Sequence, residues 1–224
     1  MPRGRRVFPG GTVFHVLNRG NSRQTLFHTP NDFDAFIRVM IESLLIVSMR
    51  ILAYCLMPNH WHFVLWPAQD DQLSDFMQQM TTTHVRRWQR AHQSEGQGHV
   101  YQGRFKAFPI QDDDHFYTVC RYVERNAVRS GLVTRAEDWV WGSAWAYMHP
   151  RDRRALPLCD WPTPRPDGWL HRVNQPLTPA EMDALRRCVA RGCPFGSEDW
   201  VQQTTQSLGL EYTLGSRGHS RNVR

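Results

Sequence analysis

The segment His60-Trp61-His62 sets two imidazoles two residues apart inside a run, His60 to Trp66, rich in aromatic and branched side chains. Side chains alternate between the faces of a strand, so on a strand both imidazoles project from one face and Trp61 enters the opposite layer. Two imidazoles placed this way can bind one divalent ion, and an incomplete shell leaves positions open for substrate oxygens. The same short spacing also suits a pair of partly buried, hydrogen-bonded histidines with no metal. Asn59, beside the pair, reads as a turn residue. Further along, Tyr122 and Asn126 stand four residues apart, with Thr118 one turn before and Arg129 one turn after. On a helix these are neighbours. A phenol is a poor nucleophile, because only about one in a thousand is ionised at neutral pH. Using it as one requires a nearby cation or base, or a metal that neutralises the phosphate under attack. A tyrosine half-buried at a helix–sheet seam fits the same pattern.

The elements that must hold these groups follow from periodicity. Gly11 to Leu17 reads as a first strand, followed by a glycine-bearing turn from Asn18 to Asn21. Pro30 to Met49 reads as a helix with Phe33, Phe36, Ile37, Met40, Ile41, Leu44 and Leu45 at helical spacing, after a Thr29 cap. Arg50 to Leu56 and His60 to Trp66 form a hairpin across Met57-Pro58-Asn59. A second helix spans Leu73 to His92, and a short strand spans Arg104 to Gln111, where Pro109 signals an edge or a bulge. Asp112 or Asp113 caps a third helix running to about Arg129, which Gly131 stops. The order β-α-β-β-α-β-α implies an α+β fold, an antiparallel sheet with helices on one face. Trp139, Trp141 and Trp145 are expected to fold back onto the core. From Pro150 to Pro176 prolines and arginines mark an extended connector, and Thr178-Pro179-Ala180-Glu181 is a capping box that opens a C-terminal helix. Another helix follows Ser197, and the chain ends in a basic tail, SRGHSRNVR.

At 224 residues the chain can bury a real core, and its 41% hydrophobic and 21% charged content excludes wholesale disorder. The net charge is +6, carried almost wholly by arginine, since Lys106 is the sole lysine. That balance favours a polyanionic partner, and the guanidinium fork suits phosphates and base edges. Five cysteines form no CxxC pair and no zinc-finger spacing. The start of the chain lacks the apolar run of a signal peptide, and no stretch approaches a membrane span, so a cytoplasmic setting with no membrane partner is expected.

Taken in order, Pro58 to Trp66 (PNHWHFVLW), Tyr101 to Phe105 (YQGRF) and Tyr122 to Val133 (YVERNAVRSGLV), with the opening GTVFHVLNRG, resemble the Y1 transposases of the HUH endonuclease superfamily. The nearer likeness is to REP-associated tyrosine transposases, relatives of the IS200/IS605 enzymes, over residues 5–148. The resemblance implies a ferredoxin-like core whose central strand carries the histidines, with the tyrosine helix alongside. It implies that His60 and His62 hold Mg²⁺ or Mn²⁺ and that Tyr122 is the nucleophile, giving a 5′-phosphotyrosine and a free 3′-OH on single-stranded DNA. Some relatives complete the metal site with a polar residue one turn after the tyrosine, and Asn126 holds that position here. Glu124 falls on another side of the helix and is excluded as a ligand. Relatives often carry proline after this asparagine, where this chain has Ala127, a difference that bears on the helix end.

A hairpin substrate implies backbone contacts, for which Arg5, Arg6, Arg19, Arg86, Arg87, Arg90, Arg104 and Lys106 are the candidates. Arg104 and Lys106 alternate onto one strand face, and Trp88 or Tyr101 could stack on flipped bases. Three parts are expected: a Y1/HUH catalytic domain over residues 1–148, a Pro/Arg-rich connector over 149–177, and a helical extension with basic tail over 178–224. The C-terminal helices read either as packing onto the core or as a helix-turn-helix module. The resemblance favours a monomer while leaving a dimer open, and implies a bacterial, nucleoid-associated location. Other readings are a domesticated regulator that binds DNA without cutting, a metal hydrolase with no covalent step, and a replication initiator of the wider HUH group.

Overall fold

β1 (Val13–Arg19), α1 (Pro30–Ile46), β2 (Arg50–Met57), β3 (His60–Trp66), α2 (Gln72–Ala91), β4 (Lys106–Ile110) and α3 (Asp114–Glu124) follow one another in the computed structural model, which describes residues 7–215. The strands form one antiparallel sheet in the order β2-β3-β1-β4, so β3 and β1 are central. This is the α+β, ferredoxin-like arrangement that the element order implies. Arg5, Arg6 and the basic tail lie outside the described residues.

Alternation along the strands separates two apolar layers. Phe14 and Val16 of β1, Tyr54 and Leu56 of β2, and Trp61, Phe63 and Leu65 of β3 pack with α1 and α2 on one face. Val13, Ala53, Cys55, Val64, Phe108 and Ile110 pack on the other face with Phe116, Val119 and Val123 of α3. The helices on one face are therefore α1 and α2. α3 covers the opposite face, because its own apolar side buries the set that the strands turn away from α1 and α2. A bulge between Ile51 and Ala53 sends Leu52 and Ala53 to the same side as α3.

Both sheet edges are covered. Beside β2, Leu56 N donates to Trp141 O at 2.9 Å and Cys159 N donates to Ile51 O at 2.9 Å. The indoles of Trp139 and Trp161 donate to Leu56 O and Leu52 O. Trp141 stacks on Phe33 with ring centroids 4.9 Å apart, so the tryptophan cluster folds back as its apolar content implies. The proline-rich stretch runs along this edge and carries a short helix, α6 (Trp169–Asn174), after α4 (Asn126–Arg129) and α5 (Ser143–Met148). On the other side Phe195 N donates to Pro109 O at 2.9 Å, and Gln111 N donates to Phe195 O at 3.0 Å. Pro109 is thus on an edge strand, where its missing N–H costs no ladder bond. α7 (Pro179–Arg191), opened by the Thr178/Glu181 capping box, buries Leu185 and Cys188 against this side, and α8 (Glu198–Leu208) follows.

The layer behind β3 contains a polar chain. The Trp61 indole donates to the Tyr101 hydroxyl at 3.0 Å, which donates to His84 Nδ1 at 2.7 Å, and all three side chains are buried. Tyr101 is therefore a core residue rather than a stacking platform, and burial pushes its phenol well above the usual range. Trp88 is likewise occupied, donating to Leu26 O and stacking on His92. Tyr101→Phe would strand the Trp61 N–H and His84 Nδ1 in apolar surroundings. The expected result is a loss of about 1–3 kcal/mol, read as a lower urea midpoint at unchanged slope.

Candidate active site

The face of the sheet that carries α3 also carries the two histidines. In register, Arg19 lies opposite His60, Leu17 opposite His62 and His15 opposite Val64. The His60 and His62 rings stand 5.0 Å apart at 84°. The Tyr122 ring, on the last turn of α3, meets His62 edge-on at 5.7 Å and His15 at 6.1 Å. Two separate elements, β3 and α3, thus bring His60, His62 and Tyr122 to one place. The Tyr122 hydroxyl makes no hydrogen bond to the described residues.

Each histidine has a partner on Nδ1. His60 Nδ1 lies 2.6 Å from Asn59 Oδ1, an atom that only accepts, so His60 carries its proton on Nδ1 and keeps the Nε2 lone pair free. Asn59 is held in turn: its Nδ2 donates to Arg23 O at 3.3 Å, and its own carbonyl accepts from Gly20 N at 2.9 Å. The close approach at Gly20 admits no side chain, since a Cβ there would lie 2.3 Å from Gln24 O. His62 Nδ1 lies 2.9 Å from His15 Nε2, with the rings parallel to within 9°.

The third helix does not run unbroken to Arg129. It ends at Glu124, turns at Arg125, and resumes as α4. Asn126 accounts for the break: its Nδ2 donates to the carbonyl oxygens of Tyr122 at 2.9 Å and Val123 at 3.4 Å, drawing the last turn of the tyrosine helix onto its side chain. Its Oδ1 accepts from Arg129, whose guanidinium also lies 4.9 Å from the Tyr122 ring centroid. Glu124 points away from the histidines. Its carboxylate accepts from Ser143 Oγ at 2.6 Å and from the Trp169 indole at 2.7 Å, tying α5 and α6 to the tyrosine helix. Burial raises the Glu124 pKa.

The residues present fit a divalent cation in part. The Nε2 lone pair of His60 is free, and His62 can offer its own. Among the described residues no group of three or more His, Cys, Asp or Glu side chains converges to hold a metal. The third imidazole, His15, commits its Nε2 to His62. Two imidazoles alone leave a shell to be filled by other oxygens.

A family model described as transposase, IS200-like, matches residues 11–126, more than half of the chain. The chain belongs to the IS200-like (Y1) transposase family. None of the curated proteins compared with it matches. Among solved structures, a REP-associated tyrosine transposase bound to a REP hairpin shares 22% identity at a TM-score of 0.52, over 75% of this chain and 94% of that one. At that identity the likeness is one of fold.

In this IS200-like transposase the arginines expected at DNA are divided between the two layers. Arg19 stands at the end of β1 opposite His60, and its charge acts on that ring. The segment bearing Arg104 lies beside it, because Gln102 N donates to Arg19 O and Asn18 Nδ2 donates to Gly103 O. Lys106 opens β4 on the same sheet face as Phe108 and Ile110. Arg104 precedes the strand instead of alternating along it with Lys106. Arg86, Arg87 and Arg90 sit on α2, behind the sheet from Tyr122, and Arg87 grips Glu42 through both carboxylate oxygens. No helix among the described residues is long and apolar enough to cross a membrane.

Three residues around the site escaped the sequence reading: His15, Arg129 as a site cation, and Asn59 as more than a turn residue. His15 sits at an inward position of β1, and its alternation with Val13 was the available signal.

Burial also sets the charge of these rings. Desolvation lowers His15 to about 3 and His84 to about 3, and desolvation with the Arg19 and Arg129 charges lowers His60 to about 4. His62 is also lowered well below its ordinary value, by burial and then by its histidine neighbours. The unfolded chain takes up protons near the ordinary value of 6.5 while the folded chain does not, so the unfolded state binds more protons as pH falls. Stability should therefore decline from about pH 6.5 downward, by up to about 1.4 kcal/mol per pH unit for each histidine. Thermal midpoints measured between pH 7.5 and 5 should drop. A level profile would contradict neutral burial.

Proposed function

We propose that this IS200-like transposase cleaves and rejoins single-stranded DNA at hairpins through a covalent bond to Tyr122, with His60 and His62 holding a divalent cation. The observation that supports this most is the free Tyr122 hydroxyl side chain standing edge-on to His62, on the face that both histidines share. The similar fold of a REP-associated transposase bound to a REP hairpin supports a hairpin substrate. Residues 1–148 form the catalytic unit in this reading, 149–177 the connector along the β2 edge, and 178–224 the helical extension. Tyr122 meets the histidines of its own chain, so a monomer completes the site, and its place of action is the bacterial nucleoid in the cytoplasm.

The Tyr122 oxygen attacks the scissile phosphorus, the bond from phosphorus to the 3′ oxygen breaks, and that oxygen takes a proton to leave as a 3′-OH. A 5′-phosphotyrosine remains. One phosphodiester replaces another, so attack by a second 3′-OH reverses the step and joins strands without external energy. A bound cation supplies charge neutralisation at the scissile phosphate. The two imidazoles suit Mn²⁺ better than Mg²⁺, which prefers an all-oxygen shell. Asn126 is the proposed third ligand, and its Oδ1, which accepts from Arg129, would have to turn from that bond to ligate. Arg129, lying over the phenol ring, offers donors to a phosphate oxygen. Asn126 holds Arg129 in that position.

A labelled single-stranded hairpin incubated with the protein and Mn²⁺ should give a denaturant-stable protein–DNA adduct, absent in Tyr122→Phe. Cleavage surviving that change would sink the assignment, and binding with no cleavage would make the chain a DNA-binding regulator. Arg129→Ala should slow cleavage roughly 10²–10³-fold while hairpin affinity changes far less. Binding should also weaken steeply with salt. Arg19→Ala and Lys106→Ala should each reduce the slope of log K against log salt by about one, and Arg87→Ala, held by Glu42, should leave it unchanged.

A further inference from the structure

We propose that His15 is a positioning residue for His62: it accepts the Nδ1 proton of His62 and so fixes the tautomer whose Nε2 can ligate the cation. The proposal deepens the reading above and rests on His62 being a ligand. His15 is fully buried on β1, its Nε2 is 2.9 Å from His62 Nδ1, and the stacked rings are clasped by Phe108 at 4.8 Å and by the Tyr122 edge. One proton occupies that nitrogen–nitrogen contact. If His15 donates it, His62 carries its own proton on Nε2 and has no lone pair there to give. If His62 donates it, Nε2 is free.

The second arrangement mirrors His60, whose Nδ1 proton goes to Asn59 Oδ1. Each of the paired histidines then has one fixed acceptor behind it, the arrangement by which outer residues orient metal ligands. A further observation separates His15 from an ordinary core histidine. Its Nδ1 is buried and has no hydrogen-bond partner among the described residues. His84, equally buried, has its Nδ1 satisfied by Tyr101. With Nε2 accepting, this Nδ1 carries the His15 proton and is a buried donor without a partner among the described residues. That is a cost that a phenylalanine of similar shape would not carry, so packing alone gives no reason for histidine at this position.

The test uses the full chain and Mn²⁺ as the probe, with affinity read by calorimetry or by the electron paramagnetic resonance of free Mn²⁺. His15→Phe should weaken Mn²⁺ binding about 10–100-fold while the protein still folds, with a thermal midpoint lowered by the one stranded His62 nitrogen. His15→Gln, whose amide oxygen can accept the same proton, should restore most of the affinity. Wild-type affinity in His15→Phe would overturn the proposal, as would a loss of folding in both variants, which would assign His15 to the core alone. If the wild-type protein fails to bind Mn²⁺ at all, the metal reading falls and this inference with it. Retained binding that ignores position 15 removes the inference only.

Discussion

Strand β3 is the divider on which the molecule depends. Its two-residue period sends Trp61, Phe63 and Leu65 into the layer of α1 and α2, and sends His60, His62 and Val64 toward α3. A shift of one residue in its pairing with β1 would reverse every one of these side chains. The apolar set makes that shift prohibitively costly, because it would pull three large side chains out of the core under α1 and α2 and bury two imidazoles there in their place. Hydrophobic burial on one face therefore fixes the position of the chemistry on the other.

The polar groups behind the site are held with the same economy. Asn59, His15 and Arg129 each engage one member of the site, and each is held by a different piece of chain: the β2–β3 turn, strand β1 and helix α4. Gly20, whose missing side chain makes room for Gln24, donates its N–H to Asn59 O, and Asn126 breaks the helix so that Arg129 lies over the phenol. In a buried setting such contacts are stronger than in water, and the desolvation that keeps the imidazoles neutral also keeps their lone pairs available. The edges of the sheet are closed by segments beyond α4, from Trp139 to Phe195, which leave the α3 face to the site.

The parts of this arrangement that follow a local period were legible in the sequence. The two-residue spacing of His60 and His62 put them on one face with Trp61 behind, and the helical spacing of Phe33, Phe36 and Ile37 marked α1. Relations that arise only when distant segments meet were not. His15 and His62 are joined by strand register, which one strand's pattern does not contain. Tyr101 looks like an available aromatic until Trp61 and His84 are seen to bracket it. The α2 arginines share the chain's charge with Arg19 and Lys106, yet the sheet separates them. The break at Arg125 was hidden because Asn126 is an acceptable helix residue by propensity, and its side-chain bonds to Tyr122 and Val123 decide the matter.

The central claim is that one phenol of the six tyrosines in the chain is placed to take a phosphoryl group from DNA. Tyr54 and Tyr101 are buried with engaged hydroxyls, and Tyr117 donates to Pro164 O. Mass spectrometry of a trypsin digest of the covalent protein–DNA complex tests this most directly. The nucleotide should be found on the peptide Tyr122–Arg125, joined through a 5′ phosphate. A nucleotide on any other tyrosine, or a 3′ phosphate linkage, would contradict it.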